Sequence, residues 1–205
     1  MRLRQNALRA QEWNAVACND VSTVFWVSIR TGPNFDAAAR KAVEAGVNSR
    51  GGTIEWREQA RLGRTYGLAG LPRPADLEWL AAALPGEALV RDAEIVALEI
   101  APSEPQAVAA LAHALGGEGR PVGVVDCAMA AGAVAIEWNV ATTAPALLLA
   151  SVDVELARWN CSRRTELLCP LPHHVATRIA AQGLQSPEIA EDRVLETLVE
   201  RAGLA

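Results

Sequence analysis

Residues 94–127 read EIVALEIAPSEPQAVAALAHALGGEGRPVGVVDC, and their grammar decides the fold class. Ile95 to Ala101 is apolar and partly β-branched with a single charge, Glu99, which suits a strand buried on at least one face. Ser103 and Gln106 have the spacing of a helix capping box, and Pro105 falls in the first turn, where its missing N–H is harmless. Val108, Leu111, Ala112 and Leu115 recur at helical spacing, and Gly116-Gly117 is read as a left-handed exit. Pro121 then breaks the chain before Val122, Val124 and Val125, a second strand ending at Asp126-Cys127. The stretch is a βαβ unit.

The same order occurs upstream. Val24–Ile29 is an apolar run, and Phe35, Ala38, Ala39, Ala42 and Val43 form a helical stripe that Gly46 is expected to close. An ungapped offset of 71 residues pairs Ile29 with Ile100, Gly46 with Gly117, Pro74 with Pro145 and Leu77 with Leu148. Identities this sparse in an alanine-rich chain carry little weight. The repeated order of strand, helix, glycine and proline-started helix carries more, and it points to an internal duplication.

Extending outward, strands are expected near 22–30, 52–58 and 88–90, a looser extended segment at 62–69, and helices at 34–45 and after Pro74. The second half offers a flexible AMAAGA loop, a strand at 134–139, a helix at 145–157 and a strand at 166–169. Each half therefore reads βαββαβ. The expected fold is α+β: two tandem ferredoxin-like units, residues 1–92 and 93–205, each a four-stranded antiparallel sheet with two helices on one face. The alternative is a single mixed α/β sheet in which 24–29, 95–101 and 122–126 lie parallel. A short N-terminal helix or arm at 3–16, a helix from His173 to Gln182 and a final helix from Ser186 complete the reading.

The 205 residues are 51% hydrophobic and 21% charged, with a formal net charge of -5, so no basic face for nucleic acid is expected. No signal peptide or membrane span stands out, and Cys18, Cys127, Cys161 and Cys169 form no CxxC. A cytoplasmic, reduced protein is expected, with no membrane partner. Six tryptophans beside two phenylalanines and one tyrosine, together with bare sheet faces, suggest a homo-oligomer.

Several groups of residues bear on chemistry. Arg57, Arg61 and Arg64 crowd one segment beside Tyr66, and guanidinium forks bind carboxylates and phosphates. With Trp138 they are the candidates for a small anionic ligand held between the two units. Intervening Glu55 and Glu58 make a solvated strand face the competing reading. Cys169 and His173 have the spacing of a nucleophile and its base, with Cys161 and His174 near, whereas a cysteine in an apolar strand is more often a small hydrophobe. No third ligand completes a metal set, so no metal is expected. Asp126 and Cys127 close a strand before a small-residue loop, a common place for reactive groups. His113 lies in an alanine-rich helix and reads as a surface residue. The chain has no G-x-G-x-x-G, P-loop, G-x-S-x-G or H-E-x-x-H. Two functions follow: a non-catalytic ligand-binding or assembly module, or a small enzyme using Cys127 or the Cys169–His173 pair. The missing acid–base–nucleophile set favours the first.

Overall fold

The computed structural model describes residues 24–181. The expected arm at 3–16 and the helix from Ser186 lie outside them. Within that range the chain is α+β, with two four-stranded antiparallel sheets and five α-helices among the described residues.

The first sheet is built from β1 (Phe25–Thr31), β2 (Thr53–Gln59), β3 (Arg64–Leu71) and β4 (Leu89–Asp92), with helices α1 (Ala37–Ser49) and α2 (Ala75–Ala83) between them. Its strand order is β2-β3-β1-β4. The second contains β5 (Ile95–Pro102), β6 (Val124–Ala130), β7 (Ala133–Asn139) and β8 (Arg163–Leu167), with α3 (Ala107–Gly116) and α4 (Pro145–Ala157). Its order is β6-β7-β5-β8, and α5 (His173–Ala181) follows. The two orders are the same. β5 and β6, the strands of the opening βαβ stretch, run parallel but do not touch, because β7 lies antiparallel between them. The single mixed sheet is therefore corrected: the three strands assigned to it belong to two separate sheets.

Alternation along the strands gives each sheet two distinct faces. Val27, Ile29 and Leu71 pack with Val43, Val47 and Leu80 of α1 and α2. Val96, Leu98, Ile100, Ile136 and Trp138 pack with Leu111, Leu115, Leu148 and Val152 of α3 and α4. Each such side chain contributes about 1.5–3 kcal/mol when fully buried. The faces turned away from the helices meet each other, since Arg61 of the β2–β3 connection reaches Glu99 on β5 and Arg57 on β2 reaches the Leu167 carbonyl on β8. Each bare sheet face is thus covered from within the chain.

Local signals differ from expectation in several places, and β8 spans Arg163–Leu167 rather than 166–169. Ser103 does not cap α3: its Oγ accepts from the Ser162 N–H at 3.1 Å, and its own N–H donates to the Ser162 carbonyl, so it ties the end of β5 to the start of β8. Gly117 is extended rather than left-handed (φ -77°, ψ -173°). A Cβ there would stand 2.6 Å from the His113 carbonyl oxygen, so the position needs glycine for space. α1 runs through Gly46 to Ser49, and Gly51, at φ 78°, makes the left-handed turn. The AMAAGA segment is mostly strand, with only Ala131-Gly132 turning between β6 and β7.

Candidate functional site at the seam of the two sheets

Successive residues of β7 point to opposite faces, so Trp138 enters the helix-covered core while Glu137 enters the seam. Glu137 is 3% exposed. A carboxylate removed from water is costly unless charge and hydrogen bonds replace the lost hydration. The first sheet supplies both. Glu137 Oε1 accepts from Arg30 Nη1 of β1 at 2.9 Å, Tyr66 Oη of β3 at 3.1 Å and Arg64 Nη1 of β3 at 3.4 Å. Its Oε2 pairs with Arg91 of β4. Asp126 of β6 joins at the rim, paired with Arg30 and with Arg64 Nη1 at 3.2 Å.

Burial pushes the Tyr66 phenol up, and the Glu137 charge pushes it further, so it stays a protonated donor. Burial alone would raise the Asp126 carboxyl. The hydrogen bond and charge of Arg30, with the charge of Arg64, outweigh that and hold it below the usual aspartate range. Beside Glu137, Arg91 and Cys169 lies a space of about 10 Å³, at the lower bound for one water molecule.

The structure brings Arg64, Tyr66 and, at the rim, Asp126 together here and places the other candidates elsewhere. Arg57 Nη1 donates to the Leu167 carbonyl at 3.2 Å, and Gln59 donates to that of Leu168 at 3.1 Å. Arg61 Nη2 donates to both oxygens of Glu99, itself 2% exposed. Trp138 stands on the far side of its sheet, and its indole N–H finds no acceptor among the described residues. Asp126 and Cys127 face opposite ways: the Cys127 thiol lies against the Ala112 carbonyl of α3, and burial and the Asp126 charge push it up. Cys169 is buried against the Ala97 backbone, and burial raises its thiol to about 11. His173 and His174 are exposed at the start of α5, and His113 is exposed on α3. Among the described residues no group of three His, Cys, Asp or Glu side chains is arranged to hold a metal, and no helix is long and apolar enough to cross a membrane.

Sequence reasoning missed Arg30, Arg91 and Glu137. The available signal was the lone acid in each apolar strand, Glu99 in IVALEI and Glu137 in AVAIEWN. A charge there must find a partner if both faces are covered.

No protein-family model matches the chain, and no curated protein matches it. One similar solved structure is described as an unknown protein from Galdieria sulphuraria. It is 13% identical, spans 70% of this chain and 97% of its own, and superposes with a TM-score of 0.34. At that score the likeness decides nothing about this chain.

Proposed function

We propose that the chain is a non-catalytic assembly module, two ferredoxin-like units related by internal duplication and fastened together by the charged seam. The support for the units is their common strand order, which read from the other edge is β4-β1-β3-β2 and β8-β5-β7-β6. One observation carries the functional reading: the chain's own acids engage the arginines that would otherwise recruit a ligand. Arg30, Arg64 and Arg91 surround Glu137, and Arg61 is taken by Glu99. Such arginines hold two sheets together. The enzyme reading draws less support, because Cys169 is buried with a raised thiol while His173 is exposed.

A small anionic ligand at the seam is the second reading. It is favoured by the surplus of guanidinium groups, Arg30, Arg64 and Arg91, over the carboxylates Asp126 and Glu137. Such a ligand would have to compete with Glu137 and Asp126 for these donors. Thermal unfolding in rising phosphate or citrate, against chloride at matched ionic strength, separates the two readings. A ligand present at a hundredfold excess over its Kd stabilises by about 2.7 kcal/mol. The assembly reading expects no saturable rise in Tm. A saturable rise that Arg64→Gln abolishes would replace it with the anion reading.

A further inference from the structure

Among the described residues β6 is an edge strand, paired with β7 on one side only. An open edge presents unpaired N–H and C=O groups, and proteins usually guard it with charge, proline or brevity. The other edges of these sheets are guarded. β2 carries Glu55, Arg57 and Glu58, and Arg57 and Gln59 tie it to the segment ending β8. β4 has four residues and ends in Arg91-Asp92, and β8 opens with Arg163-Arg164. β6 reads VVDCAMA. Its one charged residue, Asp126, turns onto Arg30 and Arg64, so no charge faces outward. Met129 is 65% exposed on this strand, and Val125 is 42% exposed. The bulge between Val124 and Asp126 bends the start of β6 and leaves Asp126–Ala130 in regular register.

We propose that β6 is the surface through which two copies of this chain associate, antiparallel across a two-fold axis at Ala128, so that their second sheets become continuous. The inference rests on the assembly reading above and names its partner. The strand's own sequence selects a second copy. A two-fold at Ala128 lets the regular segment Asp126–Ala130 pair with itself. Met129 then meets Cys127 of the second copy, and a free cysteine packs as a small hydrophobe. Asp126 meets Ala130 of the second copy, so no like charges lie opposite each other. The contact uses the same patch on both chains and therefore closes. An unrelated strand would gain the backbone bonds without this match.

Sedimentation of the full chain at micromolar concentration tests the proposal. The expected result is a dimer mass that falls to the monomer mass in Met129→Lys, with an unchanged far-UV circular dichroism spectrum. Leu147→Lys, at an exposed apolar position on α4, should leave the dimer intact. Met129→Glu, of opposite charge, should dissociate it as Met129→Lys does, and it serves if the lysine variant does not fold. Amides of Asp126–Ala130 should exchange more slowly in the dimer than in the dissociated variant. A wild-type monomer overturns the proposal, and so does a dimer that both Met129 variants leave intact. The anion titration reads the seam, not this edge, so a failure of the assembly reading is told apart from a failure of this inference.

Discussion

At the scale of single residues, Glu137 shows why a buried acid is weak evidence for stability and strong evidence for geometry. Its desolvation is offset only because Arg30, Arg64, Arg91 and Tyr66 arrive from three strands of the opposite sheet. The pairing gains little net free energy, yet removing one partner leaves the others uncompensated. Glu137→Gln keeps the shape and drops the charge, leaving the guanidinium groups to repel one another. We expect it to destabilise the chain by roughly 3 kcal/mol, seen as a lower urea midpoint. A change below about 0.5 kcal/mol, the size common for surface substitutions, would mean that the seam is already hydrated.

At the scale of elements, the α1–α2 contact turns on a glycine inside a helix. Glycine there ordinarily weakens a helix by about 0.5–1 kcal/mol relative to alanine. Here a Cβ at Gly46 would lie 2.2 Å from the Trp79 ring of α2. That ring is held in turn by the Arg50 guanidinium, 3.7 Å from its centroid, and Arg50 also donates to the Gly46 carbonyl. Gly46→Ala should therefore lower Tm, since overpacking of about 1–3 kcal/mol exceeds the helix gain. A raised Tm would show that Trp79 swings aside freely. The expectation that Gly46 ends the helix fails, and no local signal shows the glycine's reason, because the ring that needs the space lies on another helix. The same limit explains Ser103: its spacing to Gln106 marks a cap, and a residue of β8's lead-in claims its hydroxyl instead. Asp36, whose carboxylate does cap α1 through the Ala39 N–H, falls inside the helix expected over 34–45, which begins at Ala37 instead.

At the scale of the whole molecule, element types and order were legible because apolar periodicity is a local signal. Both four-stranded sheets follow from it, and α4 falls on the expected residues 145–157. The meeting of the two sheets was not legible, because it rests on pairs such as Arg30–Asp126 and Arg57–Leu167, 96 and 110 residues apart. No composition or spacing rule links positions that distant. That seam also sets how the molecule should respond to acid. Asp126 is held below the usual aspartate range when folded, despite burial, by Arg30 and Arg64. The unfolded chain therefore takes up its proton first as pH falls. The stability that this carboxylate contributes is complete above the ordinary aspartate value near pH 4, and it disappears as pH drops through the lower folded value. The side chain is 32% exposed, so solvent screens part of the effect. Urea midpoints measured from about pH 7 down to pH 3 should hold level and then decline. Asp126→Asn should start lower at neutral pH and decline less steeply, having no proton left to gain at that site. Parallel curves for the two proteins would mean that Asp126 does not couple the sheets, leaving Glu137 to hold the seam without it.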